Sequence, residues 1–292
     1  MQCLFKNMVT NMNNIIKRKI VLNNNTTLMD IYAPEIAKSA KPGQFIILRV
    51  DEVGERIPLT IYNTDKDEGL VSIIFQIVGL TTGKLNQLNV GDSLATFVGP
   101  LGRASGIKGY NSALVIGGGV GSAIAYPIAK GFKEYGTKKV DVILGFRSKD
   151  LVILEDEFSK ISDNLYLYTD DGSYKEKGFV TNGLETLIEK GETYDICFVI
   201  GPIPMMKNVS LLTKKYGIKT IVSMNPLMID GTGMCGCCRL MIDGKMKFAC
   251  IDGPDFDGHK VDYDEMMARN KMYRDIELKK RDDNCNLFRG NN

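Results

Sequence analysis

The stretch Ala113-Leu-Val-Ile-Gly-Gly-Gly-Val-Gly121 decides the fold class of this chain. Its four apolar residues predict a buried strand, its glycines a tight turn, and the residues from Ser122 to Tyr135 a helix that ends near Gly136. A helix that begins directly after a glycine turn offers N–H groups and a positive dipole end to a phosphate. The stretch therefore indicates an α/β domain with candidate phosphate-binding residues Gly117, Gly118, Gly119 and Gly121.

Strand and helix patterns alternate after this stretch. Such alternation predicts a parallel sheet that is covered by helices. The predicted strands are 140–146, 165–169, 196–200 and 220–223, and the predicted helices are 154–160, 181–189 and 204–216.

The glycine turn alone is weak evidence for a dinucleotide. Ser122 occupies the last position of the G-x-G-x-x-G pattern, and Phe146 and Arg147 stand where an acidic residue would end the second strand. A purely structural strand-to-helix turn is the alternative interpretation. Because Arg147 and Lys149 would suit a 2′-phosphate, the choice between NAD and NADP stays open.

Short β-rich runs precede the glycine turn and are separated by turns such as Lys41-Pro-Gly43 and Gly99-Pro-Leu-Gly102. Proline and glycine at these points allow the chain to reverse. The pattern predicts a small antiparallel barrel or sandwich. The runs are 15–21, 27–33, 44–50, 59–63, 70–78 and 93–98.

A third signature follows the parallel-sheet pattern, with the spacing Asp230-x4-Cys235-x2-Cys238-x11-Cys250. Plant-type 2Fe-2S clusters are held by C-x4-C-x2-C and a later cysteine, so this loop has a carboxylate at the first position. The glycines inside the loop permit positive φ angles and a close approach of backbone to cluster. We therefore interpret Asp230, Cys235, Cys238 and Cys250 as ligands of a 2Fe-2S cluster.

Three other interpretations of the cysteines stay open. A zinc ion held by Cys235, Cys237, Cys238 and Cys250 lacks the second ligand pair that structural zinc sites have, because Cys250 has no partner nearby. The thiols could instead be incidental buried groups. In a third register, Cys237 replaces one of its neighbours as a ligand.

Composition limits the remaining possibilities. A length of 292 residues suits two or three domains, which we predict at 1–109, 110–224 and 225–292. A net charge of +2 gives no reason to expect nucleic acid or a membrane surface as a partner. Seven cysteines, an odd number, favour a reducing compartment, so we predict a cytoplasmic protein with Cys3, Cys197 and Cys285 as free thiols.

Both ends of the chain have distinctive composition. The N-terminal segment is basic and Asn-rich, which leaves an organelle transit peptide as an alternative, although it lacks the apolar core of a secretion signal. A charged tail is predicted from about Asp252, with an amphipathic helix over 263–280 that packs on its own domain or binds a partner. The lone histidine, His259, excludes a Rieske cluster and is interpreted as a solvated residue.

The order of these parts and four short segments carry a resemblance to a known family. The segments are Arg56-Ile-Pro58-Leu59-Thr60, Ile74-Phe75-Gln76, Thr81-Thr82 and Gly201-Pro202. With them, the chain resembles the ferredoxin reductase-like superfamily from about residue 15 to 260. Within it, the chain is similar to the electron-transfer subunit of dihydroorotate dehydrogenase and to the small subunit of NADH-dependent ferredoxin:NADP oxidoreductase.

The resemblance implies an α+β multidomain protein with an antiparallel β-barrel FAD domain, an α/β parallel-sheet nucleotide-binding domain and a small C-terminal 2Fe-2S domain. The implied NAD(H) residues are the four glycines of the turn together with Gly201 and Pro202. The implied FAD residues are Arg56, Pro58, Leu59, Thr60, Ile74, Phe75, Gln76, Thr81 and Thr82.

The implied activity is transfer of hydride between NAD(H) and FAD, followed by passage of single electrons to the cluster and then to a larger flavoprotein subunit. That subunit is expected to carry further iron-sulfur clusters and an NADP(H) site, in a complex that performs electron bifurcation. Asp230 favours this subfamily, because the dihydroorotate-linked subunit has cysteine there. The alternatives are that dihydroorotate-linked subunit and a zinc-stabilised nucleotide-binding regulatory protein.

Overall fold

The N-terminal part of the chain forms one antiparallel sheet. A computed structural model describes residues 14–272, and in it six strands follow the order β1-β2-β5-β4-β3-β6. Two helices, α1 (Pro34–Ser39) and α2 (Leu80–Gln87), lie in the connections. Each of the six predicted β-rich runs forms a strand: β1 (Ile16–Asn23), β2 (Thr26–Tyr32), β3 (Phe45–Arg49), β4 (Ile57–Asp65), β5 (Leu70–Gln76) and β6 (Thr96–Leu101).

The second sheet has seven strands in the order β10-β9-β8-β7-β11-β12-β15. All its neighbours are parallel except β12 and β15. The predicted alternation is therefore confirmed. Its strands are β7 (Ser112–Gly118), β8 (Lys139–Phe146), β9 (Asn164–Thr169), β10 (Glu176–Lys177), β11 (Ile196–Ile200), β12 (Thr220–Ser223) and β15 (Asp255–Asp257), and its helices are α3 (Gly121–Glu134), α4 (Glu155–Ile161), α5 (Val180–Glu189) and α6 (Ile203–Lys215).

The strand order reverses between β7 and β11. The chain leaves β7 toward one side of the sheet and later returns to the other side of β7, so the loops after β7 and β11 separate and open a crevice. Ligands of open α/β sheets bind at such a reversal point, outside the carboxyl ends of the strands.

The two sheets share a hydrophobic core. Leu28 on β2 and Ile74 on β5 are buried among apolar residues of the parallel sheet and α3. Near them the rings of Tyr62 and Tyr126 lie 5.1 Å apart, and Lys130 Nζ donates to Asn63 Oδ1 at 3.2 Å. Because these contacts bury side chains from both sheets, they hold the crevice between the sheets at a defined width.

The C-terminal part of the chain returns to the parallel sheet. A hairpin of β13 (Arg239–Ile242) and β14 (Lys245–Phe248) leads into the short helix α7 (Ala249–Asp252), and β15 then pairs antiparallel with β12. The sequence pattern did not predict β15, since two of its three residues are aspartates, which strands usually lack. Backbone pairing with β12 and burial of Phe256 stabilise it instead.

Helix α8 (Tyr263–Lys271) corresponds to the first half of the predicted amphipathic helix. Tyr263 and Met266 are buried, and the Tyr263 hydroxyl lies 2.8 Å from that of Ser210 on α6. The apolar face of the described part therefore packs on its own chain. The remainder of this prediction, and those for Cys3, Cys285 and the transit peptide, fall wholly or mainly outside the described residues.

Two other predictions concern single residues. Cys197 is a free, fully buried thiol on β11, and burial raises its pKa. The prediction of a solvated His259 was wrong: its ring is partly buried and its Nε2 lies 3.0 Å from the hydroxyl of Thr213. Within residues 14–272, no helix combines the length and apolarity needed to cross a bilayer.

We expect Gly121→Ala to destabilise the protein by about 1–3 kcal/mol, because the added methyl group overpacks a backbone contact. A Cβ at this position would lie 2.5 Å from the carbonyl oxygen of Ile200. Urea unfolding of the variant measures the loss. The matched control is Gly83→Ala in α2, where a Cβ meets open space and we expect a gain of about 0.5–1 kcal/mol. Equal stability of the two variants would contradict this account.

Candidate functional site

A cleft of about 570 Å³ lies between the two sheets at the carboxyl ends of the parallel strands. Thr26, Gln76 and Val78 line it from the antiparallel sheet. The opposite wall consists of the glycine turn and the ends of β8, β9, β11 and β12. Its volume is within the range of small-molecule and cofactor sites, and its position is the one expected for an open α/β sheet.

The glycine turn has features of both a structural strand-to-helix turn and a phosphate-binding loop, which are the two interpretations that its sequence allowed. Gly118 and Gly121 are tightly packed. A Cβ on Gly121 would lie 2.5 Å from the backbone carbonyl oxygen of Ile200, which excludes a side chain, and a Cβ on Gly118 would lie 2.3 Å from Met205 Sδ, so that the flexible Met205 side chain would have to move. Gly119 differs, since its φ is +56° and a Cβ there would meet nothing within 4 Å. Packing therefore explains two of the glycines, while Gly119 leaves room in the cleft for a ligand.

The second glycine turn, Gly201-Pro202, adjoins the first. A Cβ on Gly201 would lie 3.2 Å from the Cα of Gly118. Pro202 directly precedes α6, where a missing N–H group costs nothing. Gly118, Gly119, Gly121, Gly201 and Pro202 all line the cleft. Gly117, the remaining predicted nucleotide residue, is buried in β7 and does not line it.

The predicted flavin residues of β4 and β5 divide into two groups. Pro58, Leu59 and Thr60 are partly exposed on β4, opposite β3. The side chains of Ile74 and Phe75 are buried in two different cores, so they can offer a ligand only backbone atoms. Gln76, at the end of β5, lines the cleft.

Thr81 and Thr82 begin helix α2, and their hydroxyl groups have protein partners. Thr82 Oγ1 accepts hydrogen bonds from the N–H groups of Val78 (3.0 Å) and Gly79 (3.1 Å), so it caps the helix. The Thr81 hydroxyl donates to the carboxylate of Glu55 at 3.2 Å. The pair therefore builds the turn in which it lies, as its sequence context alone would suggest.

The cysteine loop is seated against the antiparallel sheet. Gly231 has a φ of +85°, and a Cβ on it would lie 2.7 Å from Ile47 and 2.8 Å from Leu101, both of that sheet. Arg56, one of the predicted FAD residues, donates from Nε to the carbonyl oxygen of Ile229 at 2.8 Å. These contacts place the loop beside the predicted flavin segment of β4.

The four predicted cluster ligands form a buried pair and an outer pair. Cys238 and Cys250 are buried, and their sulfurs lie 3.2 Å apart. Cys235 is exposed, and Asp230 is partly exposed. In residues 14–272 no three Cys, His, Asp or Glu side chains surround one point as a single ion requires. The four predicted ligands are thus two buried thiols, one exposed thiol and one partly exposed carboxylate.

Hydrogen bonds in the loop favour the deprotonated forms of Asp230 and Cys235, and these are the forms that bind a metal. The Thr232 hydroxyl and N–H groups donate to the Asp230 carboxylate and hold its pKa below the usual range. The N–H group of Cys237 lowers the pKa of Cys235 in the same way. Burial raises the pKa of Cys250 to about 12, so binding of a metal must itself displace that proton. The donor set therefore fits an iron-sulfur cluster.

Motif analysis missed several residues of the site. Met205, Phe179, Ser223 and Asn225 line the cleft, although they belong to no motif. For Ser223 the sequence did contain a usable signal, because it ends a predicted parallel strand and the carboxyl ends of such strands form the binding edge.

Comparisons with known proteins agree with this geometry. A family model described as the iron-sulfur cluster binding domain of dihydroorotate dehydrogenase B matches residues 225–262. A Thermotoga maritima protein named dihydroorotate dehydrogenase B (NAD(+)), electron transfer subunit homolog, is 46% identical over 268 residues, which are 92% of this chain and 94% of the relative.

Two further matches cover most of the chain. An uncharacterized protein in the adh 3′ region of Clostridium beijerinckii is 52% identical over 273 residues, covering 90% of this chain and 92% of the relative. A chain in the solved structure of an NADH-dependent reduced ferredoxin-NADP oxidoreductase, described for flavin-based electron bifurcation, superposes with a TM-score of 0.86 at 43% identity. It covers 92% of this chain and 97% of its own.

We expect Cys238→Ser to abolish binding of the cluster, since Cys238 belongs to the buried pair of predicted ligands. Cys237→Ser is the matched control: its thiol is the adjacent one, and we expect it to keep the iron content of the unchanged protein. Iron analysis and visible absorption of anaerobically purified protein measure both effects. Loss of iron in Cys237→Ser with retention in Cys238→Ser would show that the third register is correct.

Proposed function

This chain belongs to the family of dihydroorotate dehydrogenase B electron transfer subunits and their homologues, and we propose that it is the small subunit of an NADH-dependent ferredoxin:NADP oxidoreductase. In this proposal the chain exchanges hydride between NAD(H) and FAD in the cleft. Electrons then pass through a 2Fe-2S cluster to a larger flavoprotein subunit, which carries further iron-sulfur clusters and an NADP(H) site. The complex performs electron bifurcation in the cytoplasm.

One observation carries the proposal: the cleft ends where the cysteine loop begins. Ser223 and Asn225 line the cleft, and Asp230 follows five residues after Asn225. The same loop contacts Ile47 of the antiparallel sheet and accepts the hydrogen bond of Arg56. A nucleotide in the cleft, a flavin on the antiparallel sheet and a cluster in the loop would therefore be neighbours, as a chain of electron carriers requires.

The antiparallel sheet is proposed to close into the β-barrel that binds FAD. An antiparallel bridge between Ile15 and Ser93 supports closure, because it links the start of β1 to the segment directly before β6, and β1 and β6 are the edge strands. The N–H group of Ile16 also donates to the carbonyl of Asp92 at 2.9 Å. The domain limits 1–109, 110–224 and 225–292 are part of the same proposal.

Bound FAD would accept hydride from NADH and give up its electrons singly, which a nicotinamide cannot do. The protein's own residues bind the cofactors and orient them. The first turn of α3 directs its N–H groups at a diphosphate, and Gly119 leaves room for it. Partly exposed Thr60 and Gln76 present polar groups from β4 and β5 toward a flavin. Asp230, Cys235, Cys238 and Cys250 hold the cluster.

The choice of subfamily rests on Asp230 and on the structural match. The oxidoreductase chain superposes over 97% of its length at 43% identity. A dihydroorotate-linked role is the second candidate, since an electron transfer subunit of Fusobacterium nucleatum with that name is 34% identical. The partner that copurifies from the source cell decides between the two candidate functions. A larger flavin and iron-sulfur subunit supports the proposal, and a dihydroorotate-oxidising subunit supports the second candidate.

We expect NADH to bleach the flavin absorption of the anaerobically purified protein and to generate the paramagnetic signal of a reduced 2Fe-2S cluster. Stopped-flow absorption and paramagnetic resonance measure the two events. Colourless protein without iron would contradict the proposal and leave a zinc-stabilised nucleotide-binding regulator as the better interpretation.

Asp230→Ala should lower the iron content at least about tenfold, in line with loss of a ligand. Asp230→Cys should keep the cluster and change its paramagnetic spectrum, because sulfur replaces oxygen at one iron. Asp243→Ala, an exposed carboxylate in the turn between β13 and β14, is the control and should leave both properties unchanged. An unchanged spectrum in Asp230→Cys would contradict the assignment of Asp230 as a ligand.

A further inference from the structure

A row of three polar side chains leads from the cleft to the protein surface. Ser223 lines the cleft and lies directly opposite Asp255 in the antiparallel β12–β15 pair, so its hydroxyl group and the Asp255 carboxylate lie on the same face of the sheet. The same carboxylate accepts a hydrogen bond from the hydroxyl group of Ser105. Ser105 is partly exposed between the exposed residues Ala104 and Gly106. Ser223, Asp255 and Ser105 therefore connect the cleft with solvent.

Asp255 is suited to carry a proton. Burial raises its pKa to about 6, although the two serine hydroxyls act in the opposite direction. A carboxyl group with this pKa gains and loses a proton near neutral pH.

The charged groups around Asp255 have other partners. Arg103, on the segment of Ser105, donates to the carbonyl of Ile251 at 2.9 Å and lies 3.9 Å from the carboxylate of Asp252. Asp257, the other carboxylate of β15, lies 3.9 Å from Lys260. From β12, Ser223 is the residue that faces Asp255. The proton affinity of Asp255 thus depends on its burial and on the two serines.

The other ionisable groups of the cleft are distant from this end. Among the described residues that line it, the charged ones are Arg147 and Asp170. They follow β8 and β9, which are three and four strands away from β12. With strands about 4.8 Å apart, this is a separation of roughly 14 Å or more. Arg147 and Asp170 therefore lie far from Ser223, which lines the end of the cleft next to the cysteine loop.

We propose that Asp255, reached through the hydroxyl group of Ser223, carries to solvent the one proton that remains once a flavin has taken hydride from NADH and given up both electrons. The inference rests on the proposed function. Oxidation of one NADH to NAD⁺ yields two electrons and one proton. In the proposed function the electrons would leave singly through the 2Fe-2S cluster, which passes on electrons without a proton.

The proton moves in three transfers, and each group that gains a proton also gives one up. Ser223 accepts it from the cleft and gives its own hydroxyl proton to Asp255. Asp255 passes a proton to Ser105, and Ser105 releases one to water. When electrons flow toward NAD⁺, the same transfers run in reverse. Asp255 acts through Ser223 and does not itself line the cleft.

The test uses Asp255→Asn in the purified holoprotein, because the amide has the same shape as the carboxyl group but cannot carry the proton. Stopped-flow absorption follows bleaching by NADH, which we expect to be unchanged. A one-electron acceptor is then added, and a pH-indicator dye follows proton release. We expect release to slow by about tenfold or more, and its dependence on pH near 6 to disappear.

Two further variants and a second measurement complete the test. Ser223→Ala should slow proton release in the same way, and it decides the matter if Asp255→Asn does not fold. Asp257→Asn, on the same strand, is the control and should behave as the unchanged protein. Infrared titration of the holoprotein without NADH should show a carboxyl band with a midpoint near 6, which is absent from Asp255→Asn and present in Asp257→Asn.

The outcomes separate the two proposals. If NADH bleaches the protein but Asp255→Asn and Ser223→Ala release protons at the original rate and with the original pH profile, the proton route is wrong and the proposed function stands. If NADH does not reduce the unchanged protein, the proposed function fails and the proton route fails with it.

Discussion

The backbone contact between the first turn of α3 and the end of β11 is the constraint on which the site depends. Gly121 lies so close to the carbonyl oxygen of Ile200 that no side chain fits between them, and a Cβ on Gly201 would lie 3.2 Å from the Cα of Gly118. This contact brings the two glycine turns together at the point where the strand order reverses. The floor of the cleft is therefore made of backbone, which lets a ligand approach the N–H groups of α3.

The position of the cysteine loop follows from contacts at both of its sides. On one side Gly231 packs on Ile47, and Ile229 accepts the hydrogen bond of Arg56. On the other side β15 pairs with β12 and ties the chain after the loop to the parallel sheet. The loop is thereby anchored to both sheets. A cluster that exchanges electrons with a flavin needs such a fixed position, because electron transfer is sensitive to distance.

The same strand, β15, gives the C-terminal segment a second role. It is three residues long, and two of them are aspartates with different surroundings. Asp257 is near Lys260 at the surface, whereas the partly buried Asp255 accepts a hydrogen bond from Ser105 and lies opposite Ser223. Residues from all three predicted domains thus meet at one carboxyl group. A proton route at this junction would link the nucleotide cleft, the cluster segment and solvent without any histidine.

The sequence by itself determined the elements whose signals are local. Alternation and apolar runs predicted all six strands of the antiparallel sheet and the five longer parallel strands, and the spacing of Asp230 and the three cysteines predicted a ligand set. Helices α1 and α2 escaped prediction, since they are short and weakly periodic.

The tertiary structure decided which distant residues meet. Strand β15 forms through pairing with β12, and Arg56 binds the carbonyl of a residue 173 positions later in the chain. Thr81 and Thr82 have partners that motif analysis did not assign to them. The physical reason is that periodicity reports one segment's own burial, whereas hydrogen bonds between segments depend on how the whole chain brings them together.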